Sequence, residues 1–166
     1  MNFCKIALIS TAISTLILGG CASKYVTPDE NTPQATLVVN NYEKTNSILK
    51  MRVNQVFIGV IGEDKCSETA IVKGIQSEED QVPVMITADR AVTVGIRHTW
   101  GSTFCFAAMG FEPKAGHTYQ LHDHVMQDGC AVMVTEGQGD DEKPVAGFAV
   151  SNSVIKEFTF CIDEEK

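Results

Sequence analysis

From residue 35 onward, apolar and polar positions alternate with the two-residue period of half-buried strands. Ala35, Leu37 and Val39 form one such line, and Leu49, Met51 and Val53 alternate with Ile48, Lys50 and Arg52. The apolar run 56–61 follows at once, so VNQVFIGVIG reads as strand, Asn54-Gln55 turn, strand. The clearest alternation sets Val92, Val94, Ile96, His98 and Trp100 against Ala91, Thr93, Gly95, Arg97 and Thr99. A strand at 82–87 precedes it, with Asp89-Arg90 as the turn. Further strands are predicted at 103–111, 117–125, 130–135 and 158–162. Residues 67–75 read as either one short helix or an irregular strand. No ten-residue stretch of this part carries a helical period. Strands recurring at such short intervals, with turns between them, predict an all-β fold. The expected architecture is a small β-sandwich of the transthyretin or immunoglobulin kind, with seven to nine strands over residues 35–166.

The first residues obey a different rule. Lys5 precedes an apolar run from Ile6 to Leu18, too short to span a bilayer comfortably. This reads as a targeting segment, a signal peptide over residues 1–20. It ends in Leu18-Gly19-Gly20-Cys21, which resembles the lipobox of bacterial lipoproteins. The resemblance implies that Cys21 becomes the first mature residue, carrying a diacylglyceryl thioether and an acylated amine. One acyl chain holds a protein marginally and two or three hold it firmly. Ala22 follows the cysteine, and by the family's sorting rule this implies the outer membrane. Residues 22–34 (ASKYVTPDENTPQ) are polar, with two prolines, and read with Cys21 as a flexible tether. Fully extended, they would reach about 45 Å.

Charge and cysteine usage narrow the function classes. The net charge is −8, and removal of the segment that holds Lys5 makes it −9. Phosphate contacts need Lys and Arg, so nucleic acid is excluded as a partner. Without Cys4 and Cys21, four cysteines remain: Cys66, Cys105, Cys130 and Cys161. An even number in an exported chain reads as disulfides, and no C-x-x-C spacing points to thiol catalysis. Three connectivities are open. Cys105–Cys130 with Cys66–Cys161 is the expected set, because the first pair closes the shortest loop, around a predicted hairpin.

Two stretches resemble a known group. VNQVFIGVIG is similar to the hairpin of PEGA-type and other transthyretin-like sandwich domains, with its apolar-Gly-apolar strand. FEPKAGHTYQL (111–121) resembles an F-x-P-x-x-G-x-x-Y-x-L hairpin of small bacterial lipoproteins. There Pro113 and Gly116 shape the turn, and Phe111 and Tyr119 pack beside it. The resemblance implies a fold and supplies no catalytic residues.

The candidate chemistry lies in HDHVM, residues 122–126. A two-residue turn at Asp128-Gly129 would set Gln127 opposite Cys130 and His124 opposite Met133. His122, His124, Met126 and Met133 would then share one face, a donor set suited to copper. The same register puts Asp123 on the core face, where a carboxylate needs a partner. A solvated polar face, or a loop beginning near Leu121, is the simpler reading. His98, on the apolar line of its strand, reads as a hydrogen-bonded core residue, and His117 as a turn residue in water. The acidic run 137–142 lacks the alternating ligands of a calcium loop and reads as a solvated tip. No nucleophile elbow, phosphate loop or H-E-x-x-H occurs. The expectation is a non-enzymatic, lipid-anchored module facing the periplasm that binds or braces another envelope component. An accessory lipoprotein of a secretion system is one version. A periplasmic copper-binding protein and an inhibitor of a secreted hydrolase such as lysozyme are the alternatives.

Overall fold

A computed structural model of the chain describes residues 24–40, 52–72, 81–100, 102–126, 129–152 and 159–162. The expected signal segment at 1–20, Cys21, the line through Leu49 and Met51, and the charge runs at 78–80 and 163–165 lie outside the described residues. The described chain is β throughout apart from one turn of 3-10 helix at Gly139–Asp141. In chain order the strands are β1 (Gln34–Asn40), β2 (Arg52–Val60), β3 (Cys66–Glu68), β4 (Ala70–Ile71), β5 (Gln81–Thr87) and β6 (Val92–Trp100). They continue as β7 (Thr103–Phe111), β8 (Thr118–Met126), β9 (Gly129–Glu136), β10 (Lys143–Pro144), β11 (Val150–Asn152) and β12 (Thr159–Ile162). Seven are seven residues or longer, the number expected of a small sandwich, and five are short additions. Residues 67–75, where described, take the irregular-strand alternative as β3 and β4.

Two sheets form the body. One runs β10-β9-β8-β1-β5 and the other β4-β2-β6-β7. All their pairings are antiparallel except β1 with β8. The period-two pattern explains the core, since alternate residues of each strand point inward. Leu37, Val39, Ile86, Tyr119, Leu121 and Val134 from the first sheet meet Val56, Ile58, Val92, Val94, Ile96 and Phe111 from the second.

A third, three-stranded sheet, β11-β12-β3, lies over the outer face of the second. This explains why β2 is apolar on both faces. Phe57 points away from the main core yet is fully buried, against Phe106, which stacks on Phe160 of β12 at 5.0 Å. Ser67 of β3 donates to Thr93 of β6 at 2.8 Å, so these two buried hydroxyls satisfy each other. Gly59 allows the close approach. A Cβ there would stand 2.9 Å from the Glu68 carbonyl oxygen and 3.0 Å from Thr69 Cγ2. Gly59→Ala is therefore expected to destabilise the fold by about 1–3 kcal/mol, the usual penalty of overpacking. Urea unfolding checks this, and an unchanged midpoint would mean that the third sheet yields.

The structure corrects several expectations. Asn54 and Gln55 do not turn: β2 runs through them, paired with His98 and Arg97 of β6. The apolar-Gly-apolar segment is thus half of one nine-residue strand. The turn at 89–90 is present, with Asp89 at φ 57°, but it carries the chain from one sheet to the other. FEPKAGHTYQL likewise arches between sheets instead of closing a hairpin. Its internal packing is as expected. Phe111 meets Tyr119 edge to face at 5.2 Å, Gly116 takes φ 76°, and the Lys114 N–H donates to the Tyr119 hydroxyl at 2.9 Å.

The largest correction concerns the tether. Residues 24–33 are docked on the sandwich. Lys24 bridges to Ile71, the Tyr25 N–H donates to the Ile71 carbonyl at 2.8 Å, and the Tyr25 hydroxyl donates to the Met85 carbonyl at 2.9 Å. Burial pushes the Tyr25 phenol up to about 12. Asp29 closes a small turn on Asn31, and the Gln34 amide donates to the Asp29 carbonyl at 2.7 Å. Polar composition suggested a free segment. A tyrosine that buries its ring and satisfies its hydroxyl, with a few backbone hydrogen bonds, fastens it.

Candidate functional site

The candidate residues lie on β8 and β9. The pairing sets Met126 opposite Gly129, Val125 opposite Cys130, His124 opposite Ala131 and His122 opposite Met133. The expected register is thus off by two, and Gly129, expected in the turn, is the first residue of β9. Sliding a strand by two preserves its faces. His122, His124, Met126 and Met133 do share the outer face of the five-stranded sheet, with Tyr119, Leu121, Asp123 and Val134 on the inner one. His124, Met126 and Met133 are exposed, the two thioethers by nearly half.

The strand does not stop at Leu121, because Asp123 finds a partner. Its Oδ2 lies 2.9 Å from Nε2 of His98, which projects from β6 in the facing sheet, and both side chains are over nine-tenths buried. This contact resolves the conflict between strand and buried carboxylate. His98 is accordingly the core histidine its apolar neighbours indicate. Beside it runs a covalent tie. Cys105 stands opposite His98 in the β6–β7 pair, Cys130 stands opposite Val125 in the β8–β9 pair, and the two cysteines are joined. The second disulfide, Cys66–Cys161, joins facing residues of β3 and β12. Both links are the expected ones.

A residue missed from the sequence completes the outer-face site. Glu142, read as part of a solvated acidic tip, folds back after the 3-10 turn. Its Oε2 lies 3.0 Å from His122 Nε2 and accepts from the Thr135 hydroxyl at 2.7 Å, while that hydroxyl is 3.0 Å from the same imidazole nitrogen. Pro144, paired opposite Thr135, and Lys143, paired opposite Glu136, form the short strand that fixes this return. A dipeptide strand has no sequence signal, so Glu142 could not have been placed. His117 is exposed as expected, and its Nδ1 meets Glu136 at 2.5 Å.

Threonine, histidine and glutamate in contact resemble a relay only superficially. A relay needs the carboxylate on one imidazole nitrogen and the hydroxyl on the other. Here both meet Nε2, so this group positions Glu142 and cannot pass a proton along. The Thr135 hydrogen bond, then the His122 contacts, hold the Glu142 carboxyl below the ordinary range. A lowered folded-state value stabilises the fold above the unfolded-state pKa and loses that contribution as pH falls through the folded one. Thr135→Val should therefore raise the Glu142 pKa, as read by carbon-13 NMR titration of its carboxyl. A downward or absent shift would contradict the assignment of that hydrogen bond.

Among the described residues no three His, Cys, Asp or Glu side chains gather as a metal site. The histidine–thioether pair His122 and Met133 does face across the strands. No family model, curated protein or solved structure matches the chain.

Proposed function

We propose that the protein is a lipid-anchored lipoprotein of the outer membrane, attached through Cys21 and facing the periplasm, that binds another envelope protein without catalysis. The observation that carries the binding role is the β8–β9 hairpin. It leaves Val125, Met126 and Met133 exposed, half of the large exposed apolar side chains among the described residues, and Phe104 is exposed at the start of β7. Apolar groups held out in water suit a protein interface. The hairpin is also braced from below by the buried His98–Asp123 pair and by Cys105–Cys130. A rigid platform with flexible thioethers on top loses little order on binding. The signal segment, the Leu18-Gly19-Gly20-Cys21 quartet and the two disulfides support an exported, anchored setting.

A photo-crosslinking amino acid placed at Met126 or Met133 in cells should trap one discrete adduct, while the same group at exposed Asn31 should not. Identical adduct patterns from all three positions would count against the hairpin as the binding surface.

A second reading, copper binding, is favoured by His122 facing Met133 with His124 and Met126 on the same face. Titration of residues 22–166 with Cu(I) and Cu(II) tests it. Stoichiometric binding abolished in the His122→Ala/His124→Ala variant would establish that reading, and weak binding indifferent to those substitutions would remove it.

A further inference from the structure

The order of strands gives the sandwich two lateral sides. On one, β9 of the first sheet meets β7 of the second, closed by Cys105–Cys130. On the other lie the edge strands β5 and β4, and the N-terminal segment closes that side. Tyr25 reaches both: its N–H bonds to Ile71 of β4 and its hydroxyl to Met85 of β5, and its ring packs against the core. The segment is a strap, held further along by the bond from the Ala88 N–H to the Pro33 carbonyl at 2.8 Å.

We infer that this strapped side is the membrane-facing side of the protein, lying against the phospholipid headgroups of the bilayer that holds its own anchor. The inference rests on the proposed lipidation of Cys21. It follows from where the docked chain ends. Only three residue steps separate Cys21 from Lys24, which span at most about 11 Å when fully extended. A free tether of residues 22–34 would reach about four times as far. The domain is therefore tied close, by one side, and does not reorient freely above the surface. The chemistry of that side agrees. Val26 is 80% exposed, and Lys24, two residues nearer the anchor along the chain, is exposed too. An exposed apolar side chain beside a lysine suits the boundary of acyl chains and phosphate groups. The net charge of the chain opposes binding to anionic lipid, so the short tie, and not charge, sets the orientation. The same geometry points the opposite side, with Phe104 and the β8–β9 hairpin, away from the bilayer toward soluble or integral partners.

The test uses the full lipidated protein in vesicles of phosphatidylethanolamine and phosphatidylglycerol containing a headgroup-nitroxide lipid. Flotation comes first, with Cys21→Ala as its control. Tryptophan is then introduced as Val26→Trp or as Phe104→Trp, with the native Trp100 common to both. The Val26→Trp protein should lose most of its added emission to the nitroxide, and the Phe104→Trp protein should lose little. Tyr25→Gly, which unfastens the strap, should abolish the difference while leaving flotation intact. Equal quenching at both positions in protein that floats would overturn the orientation and leave the lipidation reading standing. Protein that fails to float, or floats equally well as Cys21→Ala, would overturn both.

Discussion

Replacing Cys66 and Cys161 together with serine is expected to lower the stability of the fold by about 4–5 kcal/mol, the largest loss from any single link. The two cysteines are 95 residues apart, so the bond removes a long loop's freedom from the unfolded chain. Cys105–Cys130 closes only 25 residues, and its loss should amount to roughly 3.5 kcal/mol. Topology adds to the difference. β12 belongs to a three-stranded sheet whose other members are three residues each, and such a small sheet is marginal by itself. Cys161 fastens β12 to β3 and so keeps Phe160 stacked on Phe106. Domains of this size have about 5–15 kcal/mol in total, so the variant should be close to unfolding at room temperature. Urea titrations of the two double-serine variants under one buffer decide the order. A smaller loss from Cys66/Cys161 than from Cys105/Cys130 would contradict it.

His98→Leu should be the most damaging single substitution in the sandwich core, at about 3–5 kcal/mol, because it strands the Asp123 carboxylate in a buried site. The pair spans the two sheets, from β6 to β8, and both side chains are less than one-tenth exposed. Adding Asp123→Leu should restore most of the stability, since two apolar side chains in that position need no partner. The coupling in this double-mutant cycle is the quantity to measure. Additive losses from the two single changes would mean that the groups do not act as a pair. Near-UV circular dichroism, which reports the packed aromatic side chains, ensures that each variant is compared in its folded state.

The strands and the inward faces were legible because period two is a local property. The line Val92, Val94, Ile96 and His98 points inward residue for residue as the pattern requires. Sheet membership was not legible. Asp89-Arg90 and FEPKAGHTYQL have turn chemistry, yet both carry the chain across the sandwich, and turn residues alone do not distinguish a hairpin from an arch. The third sheet was hidden for a related reason. Phe57 and Gly59 are unusual for an outer face, and only the approach of β3 and β12 explains them. At the candidate site the four side chains fell on the expected face although the register was off by two. Asp123 was recognised as needing a partner, but a contact between residues 98 and 123 across two sheets leaves no mark in spacing. Glu142 and the strap were missed because each depends on a few tertiary hydrogen bonds in segments of polar composition.

Anchoring depends on the chemistry of one residue, Cys21, which intact mass spectrometry of the protein extracted from its native envelope reads directly. The expected chain begins at Cys21 and is heavier than residues 21–166 by a diacylglyceryl group and an N-acyl chain and lighter by four hydrogens for two disulfides. The Cys21→Ala variant should lack the lipid mass. A mature chain starting elsewhere, or Cys21 without lipid, would contradict the anchored reading and the membrane-facing orientation built on it.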